Sequence, residues 1–165
     1  MKLAIYPGSF DPITNGHLDV LERASKIFEN VIIAVLGNPN KNSSLSTEVR
    51  VRLIKESVKG FENVQVDSFT GLTVDYAITK NANVLIRGLR AVSDFEYEMQ
   101  MAQTNQNLNS DIDTIFLIPK AENNFVSSSI VKEIVLLGGD ISHMVPEPVN
   151  EYLVNNYCKN DSNSK

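Results

Sequence analysis

The segment from Pro7 to His17 reads Pro-Gly-Ser-Phe-Asp-Pro-Ile-Thr-Asn-Gly-His, and its residue types suit a phosphate ligand. Gly8 would let a ligand approach the backbone, Ser9 offers a hydroxyl and an N–H, Asp11-Pro12 fixes a turn, and Gly16 permits close entry into a helix. In the first turn of that helix His17 would stand where orphan N–H groups and the positive dipole end attract an anion. Its imidazole could donate a hydrogen bond to that anion. The plainer reading is that His17 only caps the helix; the ordered run of residues before it favours the phosphate. Arg87 and Arg90, with Gly88 between them, could clamp two different phosphates by paired N–H contacts, although isolated arginines are more often surface ion-pair partners. Ser127, Ser128 and Ser129 open another helical pattern, and three hydroxyls exceed the one that capping needs.

Other nucleotide-binding and catalytic signatures are missing. There is no G-x-G-x-x-G fingerprint and no Gly-Lys-Ser/Thr of a P-loop. No Gly-x-Ser-x-Gly elbow accompanies His143, so a hydrolase triad has no nucleophile and His143 reads as a structural or subunit-contact residue. Lys41 lies in the most polar stretch, Asn38 to Ser46, which reads as a mobile loop; alone it would be a solvated lysine. Glu98 alone would be an exposed helical carboxylate.

The elements that must position these residues follow from hydropathy. Apolar, β-branched runs at Leu3 to Tyr6, Val31 to Leu36, Val64 to Phe69, Val84 to Arg87 and Thr114 to Ile118 read as strands. Between them apolar residues recur at three and four: Leu21, Ala24 and Phe28; Leu53, Ile54 and Val58; Val74, Ala77 and Ile78; Phe95, Met99 and Ala102. Ser93 and Glu96 fit a capping box for the last of these. Ile130 to Leu137, closed by Gly138-Gly139, and a short helix opened by Pro146 complete the pattern. Alternating strands and helices, with strands apolar on both faces, predict an α/β, doubly wound, Rossmann-like five-stranded parallel sheet with helices on both faces. Residues 1–158 are expected to form a single domain and residues 159–165 a frayed polar tail.

Composition narrows the partners. With 15 Lys+Arg against 20 Asp+Glu the formal net charge is −5, which lacks the basic footprint of general nucleic-acid binding. Cys158 is the single cysteine, so no internal disulfide is expected, and with two histidines a Cys/His zinc site of the usual kind is not either. The longest apolar run is far short of a membrane span, and the first apolar run is too short for a signal-peptide core; a cytoplasmic protein with no membrane and no nucleic-acid partner is expected.

Gly8-Ser9-Phe10-Asp11-Pro12 followed by Thr14-Asn15-Gly16-His17 resembles the signature of the nucleotidylyltransferase superfamily, and Thr-Asn-Gly-His is similar to the form found in the bacterial phosphopantetheine adenylyltransferases. Ile86 to Arg90, Asp94 to Glu98 and Ser127 to Glu133 follow in the same order and spacing as in that family. The resemblance implies adenylyl transfer from ATP to 4′-phosphopantetheine, giving dephospho-coenzyme A and pyrophosphate in coenzyme A biosynthesis. It implies His17, Lys41 and Arg87 as the catalytic residues. ATP would be met by Ser9, Phe10, His17, Gly88, Leu89, Arg90, Glu98, Phe125, Val126, Ser127, Ser128 and Ser129, and the acceptor by Ser9, Lys41, Thr73 and Arg87. Lys41, Arg87, Arg90 and the helix starts would form a small cationic pocket. Magnesium accompanying ATP, no dedicated metal residues and a homohexamer are also implied. Asn123-Asn124 and Leu136 depart from the family pattern. Competing readings are a mononucleotide adenylyltransferase of the same superfamily, expected to carry His-x-Gly-His where Thr14 stands here; a non-catalytic nucleotide-binding module of flavodoxin type; and a structural subunit.

Overall fold

The computed structural model describes residues 3–37, 43–90 and 92–157, with only the backbone of Val92 and Ser93. Strand β1 (Leu3–Gly8) leads to helix α1 (Asn15–Ile27), then β2 (Asn30–Leu36), α2 (Thr47–Ser57), β3 (Val64–Phe69), α3 (Thr73–Thr79), β4 (Val84–Gly88), α4 (Val92–Leu108) and β5 (Asp113–Leu117). A short 3₁₀ turn at Ala121–Asn123, α5 (Ser128–Leu136) and α6 (Glu147–Tyr157) follow. All strand pairs are parallel, in the order β3-β2-β1-β4-β5. The chain therefore winds outward from β1 through β2 to β3, then returns to β1's other side for β4 and β5. That reversal opens a crevice at the carboxyl ends of β1 and β4, where open α/β sheets bind ligands.

The central strands β1, β2 and β4 are buried on both faces and read as apolar runs. Edge strands β3 and β5 are only partly buried and β3 carries Gln65, Asp67 and Ser68, so the expectation of strands apolar on both faces holds for the centre alone. Ala4, Tyr6, Val31, Ile33 and Ile86 pack with residues of α1, α2, α5 and α6, including Leu21, Ile54, Val131 and Leu153. Ile5, Ile32, Ala34 and Leu85 point the other way, onto Val74, Tyr76 and Ala77 of α3. Helix ends follow local chemistry. Ser127 caps α5 by accepting from Ile130 N–H at 3.2 Å, and Gly138, at φ 75°, ends it. Gly138 N–H and Gly139 N–H then return to the carbonyls of Val135 and Ile134, a Schellman closure.

Helix α4 departs from expectation. Phe95 and Met99, read as a core stripe, are exposed, as are Tyr97 and Met101. Apolar residues circle this helix rather than lining one side, so no single face can be buried against the sheet. The Ser93 half of the proposed capping box, the Asn38–Asn42 part of the polar loop including Lys41, Cys158 and the 159–165 tail lie outside the described residues.

One buried cation holds the crevice together and was not legible in the hydropathy. Arg50 of α2 is only 2% exposed. Its Nη1 donates to Ser9 O at 2.6 Å and Leu36 O at 3.1 Å, its Nε to Leu45 O at 3.2 Å, and its Nη2 to Thr47 Oγ1 at 3.0 Å. One planar fork thus joins the carboxyl ends of β1 and β2. Arg50→Met should lower stability by about 2–4 kcal/mol, because buried carbonyls lose their donors. Arg50→Lys should recover only part of it. Urea unfolding checks this; an unchanged midpoint in Arg50→Met would contradict it.

Candidate functional site

A cavity of about 480 Å³ occupies the β1/β4 crevice. Of the residues singled out by sequence, Ser9, Phe10, His17, Arg87, Gly88, Arg90, Glu98, Val126, Ser127, Ser128 and Ser129 line it. Thr73 is not among the lining residues; it starts α3, whose Val74 and Ala77 pack with Ile5 of β1 and Leu85 of β4. Leu89 extends the ladder through its N–H to Leu117 O at 3.0 Å and does not line the cavity, and the exposed Phe125 side chain also stays outside. Tyr6, Thr14, Asp94 and Tyr97 line it without having been singled out. Asp94 carried a signal, since an acidic residue stands four positions after Arg90, and it pairs with it at 3.3 Å.

The first loop is built around aromatic packing. Phe10, at φ 46° and 3% exposed, tucks its ring under β1, so what it can offer a ligand is chiefly backbone. A Cβ on Gly8 would lie 2.9 Å from that ring. The absence of a side chain at position 8 thus admits Phe10, and Gly8 itself lines the cavity. A Cβ on Gly16 would lie 3.2 Å from Asn123 O, which does fit the expected close entry into α1. The far side of the loop is tied by Asp11, whose carboxylate accepts from Ser44 N–H and Leu45 N–H, both at 2.9 Å, and pairs with Lys132 at 3.1 Å. Burial alone would raise its pKa; these donors hold it below the ordinary carboxylate value.

Of the two roles that the sequence offered for His17, the cap is seen directly, and the same ring lines the cavity. Its Nδ1 accepts from Thr14 N–H at 3.0 Å while Thr14 Oγ1 accepts from His17 N–H at 3.4 Å, a capping box with histidine in the usual Glu position. With Nδ1 an acceptor, the ring proton of the neutral imidazole sits on Nε2. Burial, reinforced by Arg90 and Arg87, lowers the His17 pKa to about 4. At neutral pH the cavity therefore holds an uncharged, oriented N–H donor beside the N-terminus of α1.

Both arginines of the expected cationic pocket line the cavity, each paired with a carboxylate. Arg87 forms a fork with Glu98, Nε to Oε2 at 2.6 Å and Nη2 to Oε1 at 2.7 Å, and reaches Pro7 O at 3.3 Å. Burial opposes its charge, but Glu98 raises its pKa above the ordinary arginine value. Arg90 pairs with Asp94 and donates to Val126 O at 3.1 Å. Each cavity arginine thus has a carboxylate partner that fixes its plane, while a guanidinium's five N–H groups leave donors over for a ligand. The serines divide their work. Ser127 caps α5, Ser128 Oγ donates to Pro12 O at 2.8 Å, and the Ser129 hydroxyl, in the first turn of α5 beside the cavity, bonds to no described residue. Asn123 donates to Asp19 at 2.7 Å and so holds the loop before α5 against α1.

A strand-end crevice with two helix N-termini, a neutral histidine donor and paired arginines is the kind of site that receives a phosphate-bearing ligand. Residues 5–134 match the family model described as Cytidylyltransferase-like. The chain is 58% identical over 147 residues to a phosphopantetheine adenylyltransferase of Gloeothece citriformis, covering 89% of this chain and 94% of that one. It is 53% identical over 157 residues to a protein of the same name from Alkaliphilus oremlandii, covering 95% of this chain and 100% of the relative. The chain belongs to the phosphopantetheine adenylyltransferases, within the cytidylyltransferase-like family. The fold is also that of a solved Plasmodium falciparum nicotinic acid mononucleotide adenylyltransferase complexed with NaAD, with a TM-score of 0.68 at 16% identity over 93% of this chain and 95% of that one.

The depressed His17 pKa sets a pH dependence. Between the ordinary value of 6.5 and about 4 the unfolded chain binds a proton at His17 that the folded chain does not. Stability should therefore fall as pH drops through that window. His17→Gln, which cannot titrate, should flatten this part of the stability–pH curve; an equally steep curve in the variant would contradict it.

Proposed function

We propose that this protein transfers AMP from ATP to the phosphate of 4′-phosphopantetheine, releasing pyrophosphate and giving dephospho-coenzyme A. The observation that carries the reading is His17 itself: a neutral Nε2–H donor, locked through Nδ1, facing a cavity that also holds Arg87, Gly88, Arg90 and the start of α5. The acceptor phosphate is already anionic, so no general base is needed. An acceptor oxygen attacks the α-phosphorus of ATP, the bond from that phosphorus to the bridging oxygen breaks in line, and pyrophosphate leaves with the electron pair. Catalysis is then positioning and charge stabilisation.

In this reading His17, with the Ser9 region, meets the charge growing on the α-phosphate. Arg87 and Lys41 hold the attacking phosphate, and Arg90 with Ser127 to Ser129 holds the leaving pyrophosphate. Gly88, Leu89, Phe10, Val126, Phe125 and Glu98 contact the nucleotide, and Thr73 the acceptor. A neutral donor suits this task, since it stabilises the transition-state charge without binding ground-state ATP as an ion pair would. Magnesium bound to ATP would supply charge neutralisation on the phosphates. The cavity carboxylates Asp94 and Glu98 are both engaged by arginines, which supports an ion held by phosphates and water. Cytoplasmic residence and a homohexamer complete the reading; the exposed Phe95, Tyr97, Met99 and Met101 on α4 support assembly, which sedimentation checks.

Incubation with ATP, magnesium and phosphopantetheine should release pyrophosphate, and substitution of nicotinamide mononucleotide should not. The reverse preference, or no pyrophosphate from either, would overturn the proposal. His17→Ala should bind ATP nearly normally and lose about 10²–10³-fold in turnover, the range for a removed oxyanion donor. Undiminished turnover would remove His17 from the mechanism.

A further inference from the structure

We propose that the Tyr6 hydroxyl is a second hydrogen-bond donor to the phosphates of the nucleotide, acting beside His17. The proposal rests on the reading above for the identity of the ligand and extends it to a residue with no role there.

Tyr6 lies on β1, is 4% exposed and lines the cavity. Strand alternation places it on the same side of the sheet as Ala4 and Ile86, the side covered by α1, whereas Ile5 and Leu85 face α3. Its hydroxyl reaches toward the end of β4, since a Cβ on Gly88 would lie 3.6 Å from it. The ring cannot swing freely. It packs edge-on against Phe10 at 5.3 Å and 86°, and Phe10 packs edge-on against His17 at 5.1 Å and 74°. Tyr6 and His17 thus flank one phenyl ring, and both present a polar end to the same cavity.

No described residue hydrogen-bonds the Tyr6 hydroxyl, although buried tyrosine hydroxyls normally find a partner. The partner must then come from the contents of the cavity. Burial raises the Tyr6 pKa, outweighing the opposite pull of Arg87 and Arg90, so the group remains an O–H donor at neutral pH. A fixed O–H near two helix N-termini and two guanidiniums matches a phosphate oxygen and not a cationic ligand. The nucleotide is favoured over the acceptor phosphate by the side of the sheet. Tyr6, Gly88 and His17 share the α1 side, whereas Arg87, the proposed acceptor-side cation, is held by Glu98 of α4.

Tyr6→Phe deletes the hydroxyl and keeps the ring stack. ATP affinity measured by calorimetry without acceptor should fall about tenfold, the order for a hydrogen bond to a charged group. kcat/KM for ATP should fall at least as far, while KM for phosphopantetheine and the melting temperature without nucleotide stay unchanged. Unaltered ATP affinity with unaltered kcat/KM would overturn the proposal. So would a lower melting temperature with intact ATP affinity, which would make the hydroxyl structural, or an effect confined to KM for phosphopantetheine. A wild-type protein that gives no pyrophosphate with phosphopantetheine would sink the earlier reading; the calorimetric comparison would still decide the role of Tyr6.

Discussion

The hydrogen bond from the Thr14 N–H to Nδ1 of His17 is the contact on which the site depends. It satisfies a donor at the start of α1, and by occupying Nδ1 it fixes the ring proton on Nε2 and fixes the plane of the ring. Phe10 supports the same ring from one side, and the missing side chain of Gly8 leaves room for Phe10. A helix cap, a tautomer and a donor direction are therefore one structural decision. Burial adds the absence of charge, since desolvation together with two neighbouring guanidiniums disfavours the imidazolium.

Around that ring the loops are held by charged side chains that do not line the cavity. Arg50 collects carbonyls from the ends of β1 and β2, Asp11 collects N–H groups from the stretch before α2, and Asp19 ties the loop before α5 to α1. A phosphate site of backbone N–H groups and helix ends has no rigidity of its own, because loops lack the ladders that stiffen strands. Buried ionic groups that bond to backbone supply it. The Arg87–Glu98 fork follows the same logic inside the cavity: Glu98 orients the guanidinium and moderates its charge, so that it presents direction more than bare electrostatic attraction.

The sheet and its helices were readable because their causes are local and repetitive. Five β-branched runs and the spacings around Leu21, Leu53, Val74 and Ile130 announced the elements, and the loops after β1 and β4 lay where such a sheet binds ligands. Helix α4 misled because Phe95 and Met99 have helical spacing, yet apolar residues circle the helix and both remain exposed. Pairings made across the chain could not be read. Arg87 with Glu98 and Asp11 with Lys132 bring together side chains whose spacing carries no periodic signal. Tyr6 was concealed for a different reason, since a tyrosine in an apolar strand looks like core until the end of β4 is seen opposite its hydroxyl. His17 was legible as a residue of interest and ambiguous in role, because capping and ligand donation use opposite nitrogens of one ring.

The central claim is that His17 is neutral at physiological pH with its proton on Nε2. Long-range ¹H–¹⁵N correlation spectra of histidine-labelled protein test it directly at pH 7, with His143 assigned by substitution. The account predicts for His17 a protonated, pyrrole-type Nε2 and an unprotonated, pyridine-type Nδ1, in a pattern that persists as pH is lowered to 5.5. Two pyrrole-type nitrogens, or a proton on Nδ1, would contradict it.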